Sequence, residues 1–289
     1  MSAIVLAGFS NSGKSTSLRF LPPKETFIFN VNNKQLAIPG FKKNYRKLTK
    51  EVVLDENGKP VIIKKNGKDI EKKVWVGNYY QSDDYEKANR VISIVNTLKH
   101  IHYFVIDDIN YLLGQDTMSM ATVSSYDKYS KFAYNYNSII HSLMNMREDI
   151  QVIITSHLMK DEDSGYTRLI SNSRLLDKSI NLDGLFNYII YAEKLVDELN
   201  DTVKYVFRTR TLGNDTCRST YGCFKDLYIK PDIKACIDHI NAFEAGDIEP
   251  EYYDDEDILP AGKKEEKPKD DKPEKDEKNV NADGDDLEI

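Results

Sequence analysis

The sequence predicts an α/β domain: a mostly parallel sheet with helices on both faces, a small β-hairpin insertion and an acidic C-terminal tail. Short continuous apolar runs alternate with segments of helical periodicity, the pattern of strands buried on both sides. A glycine-rich loop, Gly8-Phe9-Ser10-Asn11-Ser12-Gly13-Lys14-Ser15, stands between the first apolar run and the first helical segment. After about residue 243 the composition turns to Lys, Glu and Asp, which divides the chain into a body, 1–243, and a tail, 244–289.

Ala3 to Ala7 reads as a buried strand, and Ser15 to Leu21 as a short helix stopped by Pro22-Pro23. Thr26 to Val31 reads as a second strand. Residues 51–77 contain Asn57-Gly58 and Asn66-Gly67 between β-prone residues, the strongest short-range hairpin signal, and predict an antiparallel insertion. Ser82 to His100 reads as a helix capped by Ser82 or Asp83, with Val91, Ile94, Val95 and Leu98 on one face. Tyr103 to Ile106 is a strand ending in Asp107-Asp108. A longer helix is expected over Val123 to Arg147, followed by strands at Gln151–Thr155, Phe186–Ala192 and Lys204–Arg210.

The chain has 289 residues, 40% of them hydrophobic, enough for a packed core. No run approaches the roughly 20 apolar residues of a membrane span. Ile4-Val5-Leu6-Ala7 is too short for a signal-peptide core, so a soluble, cytoplasmic protein is expected. Cys217, Cys223 and Cys236 are an odd number without a C-x-x-C pair, which favours free thiols in a reducing compartment. His100 and His102 lack the second half of a zinc site. Residues 244–289 hold 19 acidic side chains and seven lysines, a net of −12. The whole chain carries −7, so the body carries +5, an asymmetry pointing to nucleic acid or another charged partner.

Gly8 to Ser15 fits G-x-x-x-x-G-K-[ST], the P-loop pattern, between a strand and a helix. Glycines let the backbone turn its N–H groups toward phosphates. Lys14 would reach the β- and γ-phosphates, and Ser15 would hold Mg²⁺. Gly8, Ser10, Asn11, Ser12, Gly13, Lys14, Ser15 and Thr16 are therefore the expected nucleotide-binding residues. A buried strand ending in a carboxylate is the usual second metal holder, here Asp107. Asp108 is the candidate to orient the attacking water. Ser156 and His157, after the Gln151–Thr155 strand, are candidates to sense the γ-phosphate, with a structural histidine the equal alternative.

An arginine at a strand end can stabilise a neighbouring subunit's transition state, with Arg210 the first choice and Arg218 the second, although a solvated or DNA-facing strand edge is the favoured reading of any single arginine. Tyr126, Lys128, Tyr129, Lys131, Phe132, Tyr134 and Tyr136 combine stacking surfaces with cations, as single-stranded DNA sites do. A helical aromatic stripe facing the core is the favoured alternative. The 160–174 segment, with Tyr166, Arg168 and Arg174, is an equal DNA-loop candidate. The tail tip Asp283–Ile289 is acidic and ends in apolar residues, like tails that recruit partners of single-strand-binding proteins. A merely solubilising, disordered tail is the favoured reading.

The chain resembles phage-encoded RecA-like P-loop ATPases, the group that includes the Sak-type single-strand annealing ATPases of the wider AAA assemblage. GFSNSGKST, NKQLAIPGF (33–41), YFVIDDINY (103–111) and FRTRTLGNDTCRSTYGCF (207–224) carry the likeness, with LLDKSINLDGLFNYIIYAE (175–193) also similar. Together they span about residues 1–240. The resemblance implies a RecA-type ATPase core, ATP with Mg²⁺, a homo-oligomer, and a setting in phage DNA recombination or replication in the host cytoplasm. RecA-type enzymes carry a glutamate after the second strand, where this chain has Asn30-Val31-Asn32-Asn33.

The expected activity is hydrolysis of ATP with Lys14, Asp108 and Arg210 in catalytic roles, coupled to single-stranded DNA and open to a single-strand-binding protein as partner. A nucleotide kinase is one alternative. A non-hydrolysing ATP-dependent switch or scaffold protein is the other.

Overall fold

The structure is a computed structural model describing residues 3–32, 34–112, 127–170, 183–197 and 199–252. Its centre is a nine-stranded mixed sheet, ordered β13-β12-β11-β1-β9-β8-β2-β7 with β10 paired to β9. The strands are β1 (Ile4–Gly8), β2 (Thr26–Asn30), β7 (Tyr79–Gln81), β8 (Tyr103–Asp107), β9 (Gln151–Lys160), β10 (Thr167–Leu169), β11 (Tyr188–Asp197), β12 (Thr202–Arg208) and β13 (Tyr228–Ile229). From β11 to β7 every pairing is parallel, whereas β10, β12 and β13 add antiparallel pairings.

Successive residues of a strand point to opposite faces, so apolar runs feed two cores. Val5, Phe27, Phe29, Phe104, Ile106 and Ile154 face one side and pack on helices α3 (Tyr85–Val95) and α4 (Asp127–Met144). Ile4, Leu6, Ile28, Val105, Ile153 and Phe207 face the other, against Leu18 and helix α5 (Ile233–Ala245). Phe104 is fully buried and stacks on Phe27 at 5.9 Å between ring centres. Phe104→Ala is expected to cost about 3–5 kcal/mol, transfer plus cavity. Urea unfolding checks it, and a loss below about 1 kcal/mol would mean this face is not packed as described.

The short helix after the glycine loop is one α-turn, α1 (Lys14–Ser17), continued as a 3₁₀ turn over Leu18–Phe20 and ended before Pro22. Another single turn, α2 (Phe41–Asn44), precedes the insertion. The cap of α3 is Asp84, whose side chain accepts from Lys87 N at 2.9 Å, rather than Ser82 or Asp83. Ser82 Oγ is engaged one turn earlier, accepting from Asp84 N.

The 51–77 insertion is antiparallel as its Asn-Gly pairs predict. Strands β3 (Thr49–Val52) and β6 (Lys73–Val76) pair at its base, and β4 (Ile62–Lys65) pairs with β5 (Lys68–Glu71) at its tip. Asn66 and Gly67 turn the tip with φ of 51° and 76°, the double positive φ a two-residue type I′ turn requires. Neither pair joins the main sheet.

Helix α5 was not among the expectations. Its cap, Asp232, accepts from Ala235 N, and Gly246 ends it in the left-handed region. The body therefore runs past residue 243: Glu251 N donates to Gly222 O, and the Tyr252 and Tyr221 rings lie 4.9 Å apart. Residues 253–289, with the tail tip Asp283–Ile289, lie outside the described residues, as do 113–126 and 171–182. Cys217, Cys223 and Cys236 are free and buried, and burial pushes the first two thiols up to about 12, which leaves them unreactive. Among the described residues no helix is long and apolar enough to cross a membrane.

Candidate functional site

Parallel pairing brings the carboxyl ends of β1, β9, β8 and β2 to one edge of the sheet, the usual place for a ligand crevice in open α/β sheets. The register aligns Gly8 with His157, Ala7 with Ser156, and Asn30 with Asp107. The Gly8–Ser15 loop leaves this edge from β1. Gly8 packs so closely that a β-carbon there would stand 2.4 Å from Ser12 Oγ and 2.6 Å from the Ala192 carbonyl oxygen. Gly13, at φ +94°, takes the left-handed conformation that starts α1. Asn11 is also left-handed, at φ 65°, which asparagine tolerates better than most residues.

Lys14 folds back across this loop. Its Nζ donates to Gly8 O at 2.7 Å and Phe9 O at 3.1 Å. Burial pulls the ammonium below its ordinary pKa, against the opposing pull of Asp108 and Asp107.

Asp107 is almost wholly buried at the end of β8. It accepts from Thr155 Oγ1 at 2.7 Å and from Ser15 Oγ at 3.3 and 3.4 Å. Burial, reinforced by Asp108, pushes its carboxyl up to about 6, although the Thr155 and Ser15 hydrogen bonds and Lys14 oppose this. Thr155 Oγ1 also accepts from Asp108 N at 2.7 Å. Asp108 itself sits at φ 60°, a conformation uncommon for a residue with a β-carbon. Its Oδ1 lies 3.3 Å from His157 Nε2. Burial pushes the Asp108 carboxyl up, but the hydrogen bond and charge of His157, with Lys14, outweigh it and hold the group below the usual range. Asn110 supports this corner from below, its Oδ1 accepting from His157 N at 2.6 Å and Ser156 Oγ at 3.1 Å, and its Nδ2 donating to Ile170 O.

A cleft of about 440 Å³ runs along the loop. Ser10, Asn11, Ser12, Gly13, Lys14, Ser15 and Thr16 line it, so the loop residues expected from the sequence converge on one cavity, with Gly8 under Lys14. Asp108, His157, Tyr205, Arg19 and Pro231 also line it. Asp107 lies behind Ser15, and Ser156 is turned to Asn110.

Arg210 is not brought to this cleft in its own chain. β12 runs antiparallel to β11, so Arg210 lies beyond Arg208 toward the opposite edge, its Nη1 donating to Lys225 O at 2.8 Å. Arg218 pairs through its backbone with Ile189, and its guanidinium donates to the Asp183 carbonyl. Of the aromatic helix residues, Tyr136 is core and Tyr134 is 73% exposed, while the side chains at 126–133 lie outside the described residues. In the other DNA-loop candidate Tyr166 is exposed and Arg168 half-buried, whereas Arg174 lies outside the described residues.

Thr155, Asn110 and Tyr205 are site residues that sequence reasoning missed. Thr155 ends an apolar run and reads as strand. Only the pairing of Ile106 with Ile154 sets it beside Asp107. Chemically, the cleft offers one buried cation and loop amides for an anion, a pair of hard oxygens for a divalent cation, and an ionised carboxylate held by a histidine. A scan against protein-family models finds no match, and a search of curated proteins finds none.

Proposed function

We propose that the chain is a P-loop nucleoside-triphosphate-binding protein, and within that class a Mg²⁺-dependent ATPase of RecA-like type acting with single-stranded DNA. The observation that carries the first step is the convergence of Lys14, Ser15, Asp107 and Asp108 around the Gly8–Ser15 loop. The second step rests on the sequence resemblance and on exposed Tyr134 and Tyr166.

The residues fit a Mg²⁺ ion. Ser15 Oγ and the Asp107 carboxylate oxygens lie 3.3–3.4 Å apart. Neighbouring ligands of an octahedral ion at about 2.1 Å stand roughly 3 Å apart, so a small closure suffices. The ion would neutralise charge on the β- and γ-phosphate oxygens. Lys14 would leave the Gly8 and Phe9 carbonyls for the phosphates. Asp108, ionised and steered by His157, accepts a hydrogen bond from the attacking water. Phosphoryl transfer asks mainly for positioning and charge stabilisation, which these groups supply. A second copy would bring an arginine to the γ-phosphate. Arg210 is the first candidate for that role and Arg218 the second; within this chain the two guanidinium groups donate to Lys225 O and to the Asp183 carbonyl.

A second reading is favoured by Asn32, which occupies the region where RecA-type enzymes carry a glutamate and which lines the cleft beside Asp108. On that reading the protein binds ATP as a switch and turns it over negligibly.

The deciding experiment is ATP turnover by the full chain, with and without single-stranded DNA, against Lys14→Ala. DNA-stimulated turnover lost in Lys14→Ala is the expected result. Tight binding without turnover on any DNA replaces the ATPase with the switch. No binding at all removes both.

A further inference from the structure

The β11–β12 hairpin reaches well past the end of β1. Tyr191 is level with Ala7, yet the hairpin continues through Lys194–Tyr205 and Val196–Val203 to Asp197–Thr202. Cross-strand pairs two residues apart share a face. Ala192 and Phe207 on this face are buried in the core beside Leu18. Farther out, the same face carries Tyr205, Val203 and Val196, exposed by 47%, 51% and 63%. The Tyr205 ring lies against the glycine loop: a β-carbon on Gly13 would stand 3.2 Å from its Cδ1.

The sheet order sets the direction in which a ligand must lie. Asp107 and Asp108 are at the end of β8, two strands from β1 on one side, and Tyr205 is on β12, two strands away on the other. With the terminal phosphate toward Asp108 and His157, the rest of a nucleotide runs along the loop toward Tyr205.

We infer that the Tyr205 face of the β11–β12 hairpin is the nucleobase subsite of the cleft, with the base stacked on the Tyr205 ring and flanked by Val203 and Val196. This rests on the phosphate-loop reading above and adds the base end of the ligand. A purine offers more stacking area than a pyrimidine, and a stacking wall distinguishes bases by size more than by edge chemistry.

The test uses the full chain, titrated calorimetrically with MgATP, MgCTP and magnesium tripolyphosphate. Tyr205→Ala is expected to weaken MgATP binding about tenfold or more, the usual effect of losing an aromatic base platform. It leaves tripolyphosphate within twofold, while Tyr205→Phe and Tyr205→Trp hold MgATP near wild type. Wild type binds MgATP more tightly than MgCTP. Equal losses for MgATP and tripolyphosphate would make Tyr205 a prop for the loop and overturn the subsite, as would an unchanged MgATP affinity. If instead Lys14→Ala leaves both ligands bound as in wild type, the phosphate-loop reading itself has failed.

Discussion

Replacing Lys14 with alanine is expected to weaken MgATP binding by about a hundredfold or more and to abolish turnover. A charge-assisted hydrogen bond contributes roughly 1.5–3 kcal/mol, and Lys14 would make more than one to the phosphates. The ammonium is already buried beside Asp107 and Asp108, so no other cation need be desolvated when the ligand arrives. Its lowered pKa carries a second consequence. The charged form is less favourable in the folded protein than in water, so Lys14 works against the stability of the free protein. Lys14→Met, which keeps the stem and drops the charge, is expected to lose binding while melting no lower than wild type. Calorimetric titration and a thermal melt on the same sample read both effects. Retained binding in both variants would remove the loop from the site.

Asp107→Asn is the second large effect, and it has opposite signs for function and stability. If Asp107 holds Mg²⁺ as proposed, its loss is expected to cut Mg²⁺-dependent turnover about a hundredfold, at least the effect of disturbing a ligand's support. In Mg²⁺-free buffer the same change is expected to stabilise the fold. The Asp107 carboxyl lies at about 6 in the folded chain against an ordinary 3.8. Below about pH 4 it is protonated folded and unfolded alike, and contributes no difference. Between those values the folded state holds the proton more tightly, so stability falls as pH rises, and it levels off above about 6. Two pKa units correspond to about 3 kcal/mol. Asp107→Asn escapes that penalty, while its amide oxygen still accepts from Thr155. Its melting temperature should exceed that of wild type by about 5–10 °C at pH 7.5, with the gap closing toward pH 4. An equal gap at both pH values would show that Asp107 is not held as a strained, buried carboxylate. On the proposed function, Lys14 and Asp107 would be groups kept at a stability cost for binding, a common trade at functional sites.

Strands β1, β2, β8, β9 and β11 were legible because each contains a short apolar run, and α3 because its apolar residues repeat at helical spacing. The α5 pattern was equally plain: Ile233, Cys236, Ile237 and Ile240 between a capping Asp232 and Gly246. β7 could not be read, since three residues with mixed polarity carry no period. Strands β9 and β11 run farther than their apolar cores because β10 and β12 supply backbone partners to residues whose side chains are polar or exposed. Local pattern marks where a strand is buried, whereas pairing decides where it ends.

The sequence by itself determined the glycine-rich loop after the first strand, the Asp107-Asp108 pair at a strand end and the two-turn character of the insertion. Each is a local pattern whose backbone conformation or burial follows from neighbouring residues. Tertiary structure alone decided which residues meet: Thr155 on Asp107, Asn110 beneath His157, Tyr205 against Gly13, and Arg210 away from the cleft of its own chain. The reason is geometric. Strand order and register join distant segments, and a one-residue change of register would turn strand side chains such as Thr155 and Tyr205 to the opposite face of the sheet.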